Sequence, residues 1–470
     1  MNYIFGGAGR IGKYAVDLWH TCNCNILYFI DSDSRIWGNI YKGIPIFPPI
    51  KICDELAEYQ VILTCRETEA LYNKLIEYGV SEEKIVKWSE VWKVLPYIWG
   101  AKKVYKFAGT IYENRSSKRV LFDLQNGLVL GGVEAWTFQT AKSLRMWGIE
   151  TRYLVDHRLK NYILQEKENA IELEFCMENG MSKNLNLIAE VVDEKVPCNV
   201  ICNFVGDIFI GACYAKHMTP QSVQIITVIH NDEEIYYNAY IAMERYITYC
   251  FVISSKMKKI LIERGFPKEK ICFLDWELLP DTIVGRVYSG RRHPLSLGYA
   301  GRITIAQKRM DLLWQVIQRL IEKSVDFIFE VAGIGDYLEK FSALVEDAGL
   351  QDKILFLGMI PREEIPLFWQ RQDIMVSCSD WEGHSITQAE AMAAGAVPVI
   401  TDVSGARDDV DDGENGFVVN VGDIDGIVEK ICFLYEHREL LSVMGRKAYE
   451  TIKSKSEAVN LEKFWKSILI

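Results

Sequence analysis

Short apolar runs rich in β-branched and aromatic residues alternate along this chain with longer segments whose apolar positions recur at helical spacing. The alternation repeats in three blocks. The first has strand patterns at residues 3–5, 26–30, 61–64 and 84–86, with helical segments at 13–19 and 69–78. The second opens at 120–123 and continues through a helix at 135–147 and strands at 151–155, 199–205, 224–229, 250–255 and 271–273. The third opens at 297–302. It alternates helices at 310–322, 337–348, 363–370, 387–394 and 424–436 with strands at 327–332, 354–357, 373–377, 396–400 and 416–419. Such alternation predicts an α/β architecture with mainly parallel sheets. An amphipathic segment at 458–470, carrying Phe464, Trp465, Ile468 and Leu469, ends the chain. The expected partition is 1–100 as a self-contained accessory unit, 101–118 as a linker, 119–285 and 286–455 as two further units, and 456–470 as a terminal helix.

The most apolar window, 196–214, contains Pro197, Asn199, Asn203 and Asp207, all costly in lipid, and is expected to be a buried strand followed by a turn. No transmembrane helix is predicted. With 470 residues, 49% hydrophobic and 25% charged, the chain has room for two or three cores and the composition of a globular protein. A net charge of −11 argues against a general nucleic-acid-binding role. Twelve cysteines without CxxC pairs or histidines at zinc-ligand spacing read as reduced thiols, which, with no signal-peptide pattern at the amino terminus, points to the cytoplasm. The linker carries Lys102, Lys103, Lys106, Arg115 and Lys118 against Glu113 alone. It reads as a solvated connector or, more sharply, as a means of peripheral association with the inner face of an anionic membrane.

The chemistry concentrates at residues 379–395, where seven residues separate Glu382 from Glu390. Glu382 is expected in a loop at the carboxyl edge of a parallel sheet, where such sheets bind ligands, and Glu390 roughly two turns into the following helix. Gly383, His384 and Ser385 would offer backbone N–H groups to an anion such as a diphosphate. Carboxylates repel phosphate, so the two glutamates are better suited to accept hydrogen bonds from hydroxyls on either side of it. The bland alternative is a pair of surface charges on an amphipathic helix.

This stretch resembles the E-x7-E signature of retaining nucleotide-sugar glycosyltransferases of group 1, which have the GT-B fold of two Rossmann-like domains facing a cleft. Arg302 and Lys308 resemble that family's diphosphate-binding pair, six residues apart, and 331–335, with Gly333, resembles its glycine turn. Gly405, Asp408 and 413–416 resemble the region after the signature; Gly131 and Gly132 resemble its glycine loop, and His230 its histidine against the donor sugar. The resemblance implies a hexosyltransferase that moves a sugar from a nucleotide-sugar donor to a glycan or lipid-linked acceptor, with cell-surface polysaccharide assembly as the expected setting. Within it, Arg302 and Lys308 would hold the leaving diphosphate, Glu390 the ribose and Glu382 the sugar. No cofactor is required and no metal is expected, the D-x-D-like stretches 31–33 and 408–412 being badly placed for one. Three departures stand out: His384-Ser385 replace an aromatic residue and glycine, Arg309 replaces a glycine, and Leu274-Asp275-Trp276-Glu277 replace an Asn-Gly turn.

In the first block, Gly7, Gly9 and Gly12 fit G-x-G-x-x-G after a strand, and Asp31 closes the next strand where a ribose-binding acid would stand. A nucleotide site in this unit and a degenerate unit kept for docking both remain open. Other classes are an NAD-dependent sugar-modifying oxidoreductase using this loop, a nucleotide-sugar epimerase on a GT-B scaffold, and a non-catalytic glycan-binding protein. The first 100 residues contain no Tyr-x-x-x-Lys pair to relay protons for an oxidoreductase.

Overall fold

The computed structural model describes residues 1–65, 68–99, 118–125, 127–128, 132–156, 164–175, 180–218, 223–274, 286–458 and 460–470. All of the expected linker except Lys118, as well as Gly131 and positions 275–277, falls outside them. Three sheets organise the chain. The first contains β1 (Asn2–Gly6), β2 (Asn25–Ile30), β3 (Ile40–Tyr41), β4 (Ile44–Phe47), β5 (Tyr59–Leu63) and β6 (Ile85–Lys87), in the order β3-β4-β2-β1-β5-β6, parallel except for β3 against β4. The second contains β7 (Arg119–Leu124), β8 (Glu150–Asp156), β9 (Ala170–Leu173), β10 (Cys198–Cys202), β11 (Val223–Ile229), β12 (Tyr249–Val252) and β13 (Ile271–Phe273). Its order is β13-β12-β11-β10-β7-β8-β9, parallel throughout. The third contains β14 (Leu295–Ala300), β15 (Phe327–Ala332), β16 (Ile354–Gly358), β17 (Ile374–Ser377), β18 (Val397–Thr401) and β19 (Phe417–Val419), ordered β16-β15-β14-β17-β18-β19 and again parallel.

Helices cover both faces of a parallel sheet, so its central strands are apolar without alternation. β10, β11 and β18 are buried at every position. The window 196–214 therefore departs from its expectation: β10 is followed by the helix Asp207–Met218 and not by a turn. That helix is buried from Ile208 to Ala215, and a helix apolar all round has no polar face to reveal its period. The reading also passed over the helix Glu439–Ala458. Its buried stripe, Leu441, Met444, Ala448 and Ile452, is narrow and set among charged residues.

The first unit keeps its own sheet but shares its hydrophobic core with the second. One hydrophobic core runs from Phe5, Trp19 and Trp92 of the first block into Leu185, Phe209 and Tyr240 of the second. Trp99, 2% exposed, packs its ring on Tyr214 and Tyr246 at centroid distances of 5.5 and 5.8 Å. Polar contacts pin the same junction: Tyr14 Oη donates to Asp207 Oδ2 at 2.9 Å and receives Asn184 Nδ2 at 2.9 Å. The tryptophans before the linker are thus interface residues.

After the third sheet the chain returns to the second. The terminal helix Leu461–Ile468 buries Trp465 against Phe251, 5.4 Å between centroids, while Gln224 Nε2 donates to the Ile468 carbonyl at 2.6 Å. Among the described residues no helix is long and apolar enough to cross a membrane, and no group of three or more His, Cys, Asp or Glu side chains could hold a metal ion.

Candidate active site

The second and third units meet through the loops at the carboxyl ends of their strands. Gly383 shows how closely: a Cβ there would lie 1.8 Å from the carbonyl oxygen of His230, so only glycine fits. Around this point Ser254 Oγ and Ser404 Oγ share a buried hydrogen bond of 2.7 Å. Asp408 accepts from the Ser255 N–H at 2.8 Å and from its hydroxyl, capping the helix Ser255–Glu263 from the other unit.

From the third unit, the loop after β14 carries Arg302 and Lys308, and the loop after β17 carries Glu382. Lys308 Nζ lies 2.5 Å from Glu382 Oε1, with both side chains at most 15% exposed. Gln307 completes the connection, donating to Glu382 Oε2 at 3.2 Å and to the Trp381 carbonyl at 3.0 Å while accepting from Arg302 Nη2 at 2.6 Å. Arg302, Gln307, Lys308 and Glu382 thus form one hydrogen-bonded chain of polar groups. Gly333 supports it from below: a Cβ there would meet the Gly301 carbonyl at 1.8 Å, so the two glycine turns interlock and set the path of the Arg302 loop.

Glu390 lies in the helix Ile386–Ala393, just beyond its first turn rather than two turns in, although the helix starts one residue earlier than the pattern suggested. Burial pushes its carboxyl up to about 7, opposed by Arg362. The Ser385 hydroxyl is engaged as the cap of this helix, accepting from Gln388 N at 3.3 Å. The His384 side chain is engaged within the third unit. Its Nε2 lies 2.7 Å from Asp409 Oδ2, and its side chain is 4% exposed. Burial raises the Asp409 carboxyl, but His384 and Lys455 outweigh it and hold it below the usual carboxylate range. What residue 384 can offer an anion is its backbone.

Across the cleft, His230 follows β11 and is half-buried, and desolvation pushes its imidazole down to about 3 and keeps it neutral. Trp136 packs edge-on against it, 5.2 Å between centroids. Gly132 begins the helix Gly132–Met146 and faces Ile386 of the third unit. Glu134 in its first turn is buried and raised by desolvation, with Arg302 opposing. Sequence reasoning missed Gln307, Glu134 and the Asp409–Lys455 pair. Gln307 adjoins Lys308 and Asp409 adjoins Asp408, whereas Glu134 and Lys455 stood beside no flagged residue.

In the first unit, Gly7 has φ of +102°, and a Cβ at Gly12 would meet the Gly7 carbonyl at 2.1 Å, whereas one at Gly9 would meet nothing within 4 Å. Asp31 stands just after β2, against the glycine loop. Its Oδ2 accepts from Ala8 N at 2.7 Å and its Oδ1 from Asp33 N at 2.9 Å, so the carboxylate ties down the loop where a ribose would be held. A cavity of about 1090 Å³ opens at the other edge of the sheet, beside Asn2, Asn25 and Gln60 at the amino ends of β1, β2 and β5.

Residues 292–451 match the family Glycosyl transferases group 1. The poly(ribitol-phosphate) alpha-N-acetylglucosaminyltransferase of Staphylococcus aureus (strain COL) is 22% identical over 315 residues, 65% of this chain and 60% of that protein. This chain therefore spans less than two thirds of that curated relative. Among solved structures, the lipopolysaccharide outer core galactosyltransferase WaaB in its apo form aligns with a TM-score of 0.60 at 18% identity, over 75% of this chain and 99% of that one. Anabaena Alr3699/HepE in complex with UDP aligns with a TM-score of 0.60 at 17% identity, over 74% and 98%. At these identities the two structures speak for the fold, and the family match speaks for the third unit. Residues 292–451 thus match the group 1 glycosyltransferases, and the second and third units of this chain face each other in the GT-B fold.

Proposed function

We propose that this protein is a retaining glycosyltransferase that moves a sugar from a nucleoside-diphosphate sugar to a glycan or lipid-linked acceptor in cell-surface polysaccharide assembly. The observation that carries the reading is the polar chain Arg302–Gln307–Glu382–Lys308 at the carboxyl edge of the third sheet, opposite His230. Arg302 and Lys308 suit a departing diphosphate, one through a planar fork and the other through a compact charge. Charged hydrogen bonds of this kind contribute roughly 1.5–3 kcal/mol each. Glu390 suits the ribose hydroxyls and Glu382 the sugar, with the Gly383 and His384 backbone at the phosphates. The relative from Staphylococcus aureus, whose name states a polyol-phosphate acceptor, and the UDP complex of HepE support a nucleotide-sugar donor and a polymeric acceptor. Retention rests on the resemblance to the E-x7-E family, in which the donor phosphate takes the acceptor proton and no protein nucleophile is needed. Peripheral membrane attachment, the cytoplasmic location and a nucleotide in the first unit belong to the same proposal. No observation favours the oxidoreductase or epimerase readings.

A thermal-shift panel of uridine, guanosine and adenosine diphosphate sugars tests the donor, followed by an assay for nucleoside diphosphate release. A ligand at one hundred times its dissociation constant adds roughly 2.7 kcal/mol. Lys308→Ala should lower turnover on the order of 10²-fold, as loss of a charged transition-state donor does. Undiminished transfer by that variant, or dependence of the wild type on a chelatable metal, would overturn the assignment.

A further inference from the structure

His230 hydrogen-bonds to one side chain only among the described residues, and that side chain cannot turn around. Asn203, fully buried just beyond β10, points Oδ1 at His230 Nε2, 2.9 Å away. Its Nδ2 donates to the Asp123 backbone carbonyl at 2.9 Å and to Thr137 Oγ1 at 3.0 Å. A backbone carbonyl can only accept, so an inverted amide would set two acceptors against each other. The Thr137 hydroxyl has already given its hydrogen to the Val133 carbonyl at 2.8 Å and is left to accept from Asn203. Oδ1 therefore faces the imidazole, and an amide oxygen requires a proton on Nε2.

We propose that Asn203 is a positioning residue that locks His230 in the Nε2–H tautomer, leaving Nδ1 as a permanent hydrogen-bond acceptor at the cleft. Desolvation holds the half-buried ring neutral, so it brings no charge to a phosphate. Its Nδ1 offers a lone pair, which a phosphate oxygen repels and a hydroxyl satisfies. Trp136, stacked edge-on, holds the plane of the ring. His230 then acts as a selector for a hydroxyl-bearing group and against an anion. That the hydroxyl belongs to the donor sugar rests on the function proposed above. The lock itself does not.

The lock is tested without any ligand by long-range ¹H–¹⁵N correlation spectra of the ¹⁵N-histidine-labelled full chain, with His230→Gln identifying the signal among seven histidines. The expected pattern at neutral pH is a protonated Nε2 and a bare Nδ1. A ring protonated on Nδ1, charged, or exchanging between tautomers would overturn the proposal. Asn203→Ala removes the acceptor opposite Nε2, so its ring signal should show exchange between the two neutral tautomers. An unchanged neutral ring in a folded variant would count against control by residue 203. The second arm compares the most stabilising sugar nucleotide of the panel with its parent nucleoside diphosphate. Asn203→Ala should lose about tenfold in affinity for the former, the worth of roughly one hydrogen bond, and keep its affinity for the latter. Equal losses for both would refute hydroxyl selection. If no sugar nucleotide stabilises the wild type, the transferase reading fails while the spectra still decide the lock.

Discussion

Arg309 stands in the left-handed region, with φ 50° and ψ 51°, where a side chain costs about 1–2 kcal/mol and glycine nothing. Its guanidinium offsets that cost by bridging Asp311 and Asp380, the latter at 2.9 Å and only two residues before Glu382. Arg309→Gly relaxes the backbone but releases the Glu382 loop. The melting temperature should hardly move, while turnover should fall on the order of tenfold, short of the 10²-fold that a misplacement of about 1 Å can cost. Equal turnover would show that Asp380 needs no anchor. Glu390 carries a second prediction. Because its folded carboxyl is raised to about 7 by burial, the unfolded chain gives up this proton first as the pH rises. Its contribution to stability is therefore present below the ordinary glutamate range, is lost as the pH climbs to about 7, and is flat above. Ribose hydroxyls prefer the charged form, so donor affinity should rise about tenfold between pH 6 and pH 8, as a single titration near 7 requires. Glu390→Gln should remove that slope in a calorimetric titration. A slope that survives the substitution would assign it to another group. The spacing of the two glutamates was legible in the sequence. The burial that raises one and the lysine that pairs with the other were not, since both depend on loops brought from elsewhere.

At the level of elements, the helix Ile386–Ala393 is anchored at both ends. Ser385 caps its start. At its far end Arg286 donates to the carbonyls of Ala394, Trp369 and Gln370, so one buried guanidinium gathers the carboxyl ends of two helices and is balanced by their carbonyl dipoles. Apart from the helix Glu439–Ala458, with its narrow stripe, the strand and helix pattern of the third unit was legible from apolar faces. The helix Asp207–Met218 was not, for it is buried on all sides. Nor was the junction between the first two units, because an interface tryptophan reads in sequence like any core tryptophan. Trp99→Ala should cost about 3–5 kcal/mol, as for a fully packed aromatic side chain, and lower the midpoint of denaturant unfolding accordingly. A fragment beginning at residue 112 loses that partner and exposes the apolar surface of Tyr214 and Tyr246, so it should aggregate. A soluble fragment with native stability would restore the accessory reading of the first unit.

For the whole molecule, the two facing units are held together by the Gly383–His230 approach, the Ser254–Ser404 bond and the Asp408 cap on Ser255. Removing one such cap costs about 1 kcal/mol, roughly a fivefold shift in an open–closed balance. Asp408→Ala should enlarge the radius of gyration in small-angle scattering, and saturating donor should restore it. An unchanged radius would mean that packing alone keeps the cleft closed. The order of strands and helices, and with it the class of fold, followed from the local periodicity of apolar residues, which each segment carries in its own side chains. The glycines at 333 and 383 were visible as residue types, but their necessity is set by carbonyls of Gly301 and His230 that only folding brings within contact. The same holds for the ion pair of Lys308 with Glu382, for His384 turned onto Asp409, and for the joined core of the first two units. Each is a long-range contact. Neither spacing nor composition encodes which distant side chain will exclude water from, or neutralise, another.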